Sequence, residues 1–264
     1  MATRVEQDVD GIPVVLVRPE PDTGREVVLW MSHLGGSAER ARPMLERFAA
    51  AGHPAVSFDA PGHGRRGSGD AWAFATRVLA EFRRRMWPIL GQTTLEAMRV
   101  LTWAREQTGG PDGALAGGVS MGGDVAVALA GIDARVRRVA TIGSTPDWSR
   151  PDMRELDDPS RVVDQGAADP YAQWFADHLD PSRHLERYLG RPAIAFELGA
   201  DDHHVPADNA RAFAAGLRRA EPAASARLRV QAYPGLDHLG VTRSDDARAA
   251  AADWLLADDG PPAT

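Results

Sequence analysis

The sequence predicts an α/β fold built on a mostly parallel sheet with helices on both faces. Three observations predict it. Short apolar runs alternate with segments of helical periodicity from Val27 to Leu256. Several runs, such as Val27-Val28-Leu29-Trp30-Met31, are apolar at every position, as strands buried on both faces should be. One run leads through Gly117-Gly118-Val119-Ser120-Met121-Gly122-Gly123 straight into a helical segment, a glycine-flanked serine at a strand-to-helix turn.

The elements come in a regular order. Arg4 to Val9 and Ile12 to Arg18, separated by Asp10-Gly11, read as paired strands. After the Val27–Met31 strand come Ser32-His33-Leu34-Gly35-Gly36-Ser37, a helix from Ala38 to Ala51 and a strand over residues 54–58. The glycine-rich stretch Asp59 to Asp70 is a loop. A helical pattern covers Ala71 to Leu90, and Thr93-Thr94-Leu95-Glu96 reads as a capping box opening a second helix to Thr108. The elbow and its helix come next, then a strand from Val136 to Ile142. Residues 144–190, rich in Asp and Pro with scattered aromatics, interrupt the alternation and read as an insertion, with Asp180-Pro181 starting a short helix. Strands at Ala193–Leu198 and Leu228–Tyr233 and helices at Ala207–Arg219 and Ser244–Leu256 complete a single domain over 1–264.

Composition narrows the function. A net charge of −7 disfavours nucleic acid and acidic membrane surfaces as partners. The absence of cysteine excludes disulfides and thiolate chemistry. The first residues lack the apolar core of a signal peptide, and no stretch approaches the ~20 apolar residues of a membrane span, so a cytoplasmic protein is expected.

In a parallel sheet, ligands bind outside the carboxyl ends of the strands, so the loops there carry the chemistry. Gly199-Ala200-Asp201-Asp202-His203-His204-Val205-Pro206 lies after one strand and Pro234-Gly235-Leu236-Asp237-His238-Leu239-Gly240 after another. The order Ser…Asp…His is that of a nucleophile, an orienting acid and a base. Ser120 needs a base to be a nucleophile, and His238 needs a carboxylate to hold its tautomer. Asp201 and Asp202 both compete for that role, whereas Asp237 adjoins His238 and cannot easily face it.

Over essentially its whole length the chain resembles the α/β-hydrolase superfamily: GGVSMGG matches the elbow, GADDHHVP the acid turn and GLDH the histidine loop. FDAPGHGRRGSGD is similar to a loop of small bacterial serine esterases, near the dienelactone hydrolase and prolyl-oligopeptidase-like branch. The resemblance implies an α/β-hydrolase fold with a small helical lid over 144–190. It also implies a serine hydrolase of carboxylic esters needing no cofactor and no metal, acting on a small-molecule acyl ester as a monomer or homodimer. The family spacing G-x-x-D-x-x-V-P selects Asp202. Met121, next after the nucleophile, supplies one oxyanion N–H. The family's His-Gly-x after the first buried strand is here Ser32-His33-Leu34. If Ser32-His33 replaces the His-Gly pair, Leu34 is the second donor; if His33 matches the family's histidine, Gly35 is. Relatives' spacing favours Leu34.

The remaining features have quieter readings. Asp201 to His204 could be a metal cluster, but adjacent side chains do not converge easily on one ion. His63 is expected to hydrogen-bond within its own loop, Arg83-Arg84-Arg85 to be a solvated helix face, and Asp124 to favour its helix N-terminus or cap a turn. Trp148, Trp174 and Phe175 are expected as a lid wall over the acyl pocket, with plain core as the alternative. Rival functions sharing the triad are a thioesterase or acyl-transferring enzyme and a C–C bond or peptide hydrolase. A non-catalytic ligand-binding protein on the same scaffold is the rival outside catalysis.

Overall fold

The computed structural model describes residues 2–257; residues 1 and 258–264 of the expected domain lie outside the described residues. Strands β1 (Ala2–Val9), β2 (Ile12–Pro19), β3 (Val27–Met31), β4 (Ala55–Phe58), β5 (Ala114–Val119), β6 (Val136–Ile142), β7 (Ala193–Gly199) and β8 (Leu228–Tyr233) form one sheet. Its order is β1-β2-β4-β3-β5-β6-β7-β8. From β4 to β8 neighbouring strands run parallel, and the antiparallel pairings are those made by β1 and β2. The helices are α1 (Ala38–Ala50), α2 (Ala71–Ala80), α3 (Phe82–Thr108), α4 (Met121–Ile132), α5 (Pro170–Leu179), α6 (Ala207–Ala220), α7 (His238–Arg243) and α8 (Asp245–Leu256). None among the described residues is long and apolar enough to cross a membrane.

The two-residue period of the strands sorts the core into two layers. Val27, Leu29 and Met31 of β3 pack with α3, α4 and α6, whereas Val28 and Trp30 face α1 and α8. A third cluster lies above the carboxyl ends of the strands. It joins Phe82 and Trp87 of α3 and Val125 of α4 to Trp148, Met153 and Phe175 from the connection between β6 and β7.

One expectation is corrected. The helix expected over Ala71–Leu90 breaks at Glu81 (φ −132°, ψ 54°), and α3 then runs unbroken through Thr93 and Thr94. Those two residues do not cap a new helix. Their hydroxyls donate to Ile89 O at 2.6 Å and Leu90 O at 2.8 Å, which satisfies them inside a continuing helix. Glu96 does not reach back to a cap, because Arg66 of the glycine-rich loop holds it through two bonds of 2.5 and 2.9 Å.

Asp-Pro starts come in two lengths. Asp180-Pro181 opens a short helix as expected, the 3₁₀ turn Pro181–Arg183, with Asp180 accepting from Ser182 N at 3.0 Å. The same pair at Asp169-Pro170 opens the ten-residue α5, where Asp169 accepts from Ala172 N at 2.8 Å. The difference lies beyond the proline. In α5, Ala172, Phe175, Ala176 and Leu179 make a buried stripe at helical spacing, and such a stripe, more than a cap, sustains a helix.

Candidate active site

Ser120 sits at the β5–α4 turn with φ 51° and ψ −121°, a strained conformation for a residue with a side chain. The turn is pinned on both sides: Ser120 N donates to Ile142 O at 2.8 Å, and Gly123 N donates to Ser120 O at 2.8 Å. The flanking glycines are required by contact. A Cβ on Gly118 would lie 2.5 Å from Gly122 C, and one on Gly122 would lie 2.4 Å from Met31 O. Both would meet backbone, which cannot swing aside. Their absence lets α4 start directly against the end of β3, beside the Ser32-His33-Leu34 loop.

On the other side, Gly199 brings two loops together. A Cβ there would lie 2.3 Å from Leu236 O. The acid turn therefore stacks on the histidine loop, joined by Ala200 N to Tyr233 O at 3.0 Å and Asp201 N to Leu236 O at 3.1 Å. Three buried polar side chains then fall in line. Ser120 Oγ is 3.1 Å from His238 Nε2, and His238 Nδ1 is 2.8 Å from Asp202 Oδ2. With Nδ1–H donating to the carboxylate, Nε2 is free to accept from the serine hydroxyl. The other carboxylate oxygen, Oδ1, accepts from His204 N at 3.0 Å and Val205 N at 2.7 Å, which fixes the carboxylate plane. Asp201 is exposed, and Asp237 caps α7 by accepting from Gly240 N at 2.7 Å. His238 opens the one-and-a-half-turn α7, where the sequence reading expected only a loop.

Met121 is the first residue of α4, so its N–H has no acceptor within the helix. Leu34 lies in a tight turn closed by Gly36 N to His33 O at 2.8 Å, with Gly35 at φ 75°. Its side chain packs on the third cluster, as does that of Met121.

A family model described as alpha/beta hydrolase fold matches residues 34–220. The chain belongs to the α/β-hydrolase fold family. No curated protein matches it by sequence. Among solved structures, TT1662 from Thermus thermophilus is 24% identical with a TM-score of 0.71, over 98% of this chain and 100% of that one. Thermogutta terrifontis esterase 2, solved phosphoramylated by tabun, is 17% identical with a TM-score of 0.64, over 97% and 94% of the two chains. A protein provisionally assigned as a dienelactone hydrolase from Klebsiella pneumoniae is 17% identical with a TM-score of 0.62, over 97% and 98%.

Within this α/β-hydrolase fold, other histidines surround the line of three. His33 donates from Nδ1 to Leu34 O at 2.9 Å, and burial lowers its pKa. His63 stays within its loop, donating from Nδ1 to Pro61 O at 2.9 Å, with its ring edge-on to Phe74; burial lowers it too. His204 is the residue that sequence reasoning passed over, having weighed it only as a metal ligand. Its ring lies 5.1 Å from that of His238, and burial, reinforced by the neighbouring His238 and Arg150, pushes it down to about 3. Its only sequence signal was a second histidine two residues after the acid. Among the described residues, no group of three or more His, Asp or Glu side chains is placed to hold a metal ion.

The connection over the site differs from the expected aromatic wall. Trp148 is fully buried, and its carbonyl accepts from Trp87 Nε1 at 2.9 Å. Phe175 is buried against Gly91, where a Cβ would lie 2.0 Å from its ring. Both are core of the third cluster. Trp174 is half exposed and stacks on His178. Arg83 is turned in towards Gln165 and the face of Trp87, while Arg84 and Arg85 are exposed on the helix surface as expected.

Asp124 stands in the first turn of α4, as expected, and is also tied to the connection above it. It is fully buried, pairs with the buried Arg150 guanidinium and accepts from Thr145 N at 2.7 Å. Burial raises its pKa while Arg150 opposes the rise. The helix that follows Ser120 is thus bonded to the connection above it.

Proposed function

We propose that the protein is a serine hydrolase that cleaves carboxylic esters of small molecules. Fold family and esterase-like neighbours support hydrolytic chemistry. The observation that carries the finer reading is the buried line from Asp202 through His238 to Ser120, with spacings of 2.8 and 3.1 Å.

In this reading Ser120 Oγ attacks the ester carbonyl carbon as its proton passes to His238 Nε2. Asp202 steadies the resulting imidazolium through Nδ1–H. The carbonyl oxygen, now an oxyanion, accepts from the N–H groups of Met121 and Leu34. Collapse breaks the bond to the alkoxy oxygen, which takes the proton from His238 and leaves as the alcohol. Water then gives a proton to His238 and attacks the acyl-enzyme. The second collapse returns that proton to Ser120 and releases the acid. Residues 144–190 act as a cap over the acyl side, resting on the side chains of Leu34 and Met121.

The test is labelling by a fluorophosphonate probe together with hydrolysis of short p-nitrophenyl esters. The folded protein should label at Ser120, and Ser120→Ala should lose labelling and at least ~10⁴-fold in kcat. An unchanged rate in folded Ser120→Ala protein would refute the proposal. Folded wild-type protein that neither labels nor hydrolyses would favour a binding protein on this scaffold.

A further inference from the structure

His204 touches both the candidate triad and the cap. Its backbone N–H donates to Asp202 Oδ1 at 3.0 Å, and its ring flanks that of His238 at 5.1 Å with a tilt of 58°. Its Nδ1–H donates to Arg154 O at 2.9 Å, and Arg154 N donates back to His203 O at 2.9 Å. Two bonds in opposite directions therefore clasp one residue of the cap to the acid turn. His204 is 7% exposed, so little water competes for the carbonyl of Arg154.

The clasp is continuous with the rest of the cap. Arg154 pairs with Val162 across a short antiparallel bridge, and its guanidinium donates to Pro159 O at 3.1 Å. Met153 beside it is fully buried in the third cluster, and Met153 N donates to Arg150 O at 3.2 Å. Arg150 in turn is the partner of Asp124 on the helix that begins at Ser120. One short stretch of cap, residues 150–154, thus holds the nucleophile's helix at one end and the acid turn at the other. A shift of that stretch would move the acid and the base relative to the serine.

We propose that His204 is a positioning residue: by clasping Arg154 it sets the acid turn, and through Asp202 and ring contact the His238 imidazole, against Ser120. The inference rests on the reading of Ser120, His238 and Asp202 as the working triad. The imidazole suits the task because one nitrogen is committed to a carbonyl while the uncharged ring can lie against His238 without repelling the imidazolium that forms there.

The test compares two variants of the full chain. His204→Phe keeps the ring and removes the donor to Arg154 O. His204→Asn places an N–H where Nδ1 stood and removes the ring. Each is measured as kcat on p-nitrophenyl acetate per site labelled by fluorophosphonate, which removes any unfolded fraction from the comparison. His204→Phe should lose about 10- to 100-fold in kcat with KM little changed, since misplaced reacting groups cost the chemical step more than binding. His204→Asn should recover most of that loss. Wild-type kcat per labelled site in His204→Phe, or His204→Asn no better than His204→Phe, would overturn the proposal. Wild-type protein that does not label would instead defeat the triad reading beneath it.

Discussion

The elbow side of the sheet and the cap above it are held by different forces. Around Ser120, backbone packs on backbone. Gly118 and Gly122 let α4 lie so close to β3 that added Cβ atoms would fall 2.4 to 2.7 Å from backbone atoms. The connection between β6 and β7, residues 143–192, which contains the proposed cap, has α5 as its longest element and otherwise short turns. It is fastened by side chains: Trp148, Met153 and Phe175 pack in the third cluster, Arg150 pairs with Asp124, and Trp148 O accepts from Trp87 Nε1. Backbone packed on backbone tolerates no adjustment, whereas packed and bonded side chains can shift when one of them changes.

The contrast can be broken at its strongest fastening. Asp124→Ala leaves the Arg150 guanidinium buried without its carboxylate, which should cost about 3–5 kcal/mol. Urea denaturation should show that loss, and an Asp124→Leu, Arg150→Met double variant should recover much of it. A double variant as unstable as Asp124→Ala would mean that the pair's geometry, and not its unpaired charge, is what matters.

The rigid side can be probed with one methyl group. Gly122→Ala puts a Cβ 2.4 Å from Met31 O, with no side chain to yield, and should destabilise by about 1–3 kcal/mol or more. Because the helix must back away from β3, fluorophosphonate labelling should fall even where the protein remains folded. Normal labelling with a normal melting temperature would remove the steric account of the elbow.

The smallest expected effect lies in the cap. Asp180 is buried; its Oδ1 accepts from Ser182 N at 3.0 Å, while its Oδ2 lies 3.6 Å from Arg183 Nε, too far for a hydrogen bond. Burial, with Asp147 nearby, pushes its pKa from 3.8 up to about 6. Well below pH 3.8 the carboxyl is neutral folded or unfolded and costs nothing. As pH rises towards 6 the unfolded chain ionises first, so the folded state loses stability across that window, and the full penalty persists above it. Asp180→Asn keeps the acceptor for Ser182 and should stabilise by about 1–2 kcal/mol at pH 7–8. The gain should vanish well below pH 3.8. A pH-independent gain, or a loss at pH 7, would contradict the burial account.

Much of this arrangement was legible in the sequence, and the legible parts share a cause. Alternating apolar runs located β3, β4, β6, β7 and β8 within a residue, because burial on both faces demands them, whereas β5 runs on from its apolar start through Gly117 and Gly118 to Val119. The elbow was visible because the glycines that permit it are adjacent in the chain. Ser120 and His238 could be picked out because strand ends mark where ligands sit, the spacing of the family it resembles chose Asp202 over Asp201, and the structure brings the three within hydrogen-bonding distance. The Thr93 capping box misled because a cap signal is local, and a helix already under way through Pro88 absorbs it. The Asp180-Pro181 start is present, and with no buried stripe behind it the helix stops after one turn.

By itself, then, the sequence determined the order of strands and helices, the serine turn and the class of chemistry those residues could perform. These depend on neighbours within a few residues, where periodicity and steric demand act directly. Only the tertiary structure decided that Asp124 would meet Arg150, that His204 would lie between Arg154 and His238, and that Trp148 and Phe175 would be core and not pocket wall. Those pairings join residues 26 and 50 positions apart, or place a side chain among three separate elements. No local pattern encodes them, because which buried polar groups find each other is set by how every intervening element packs.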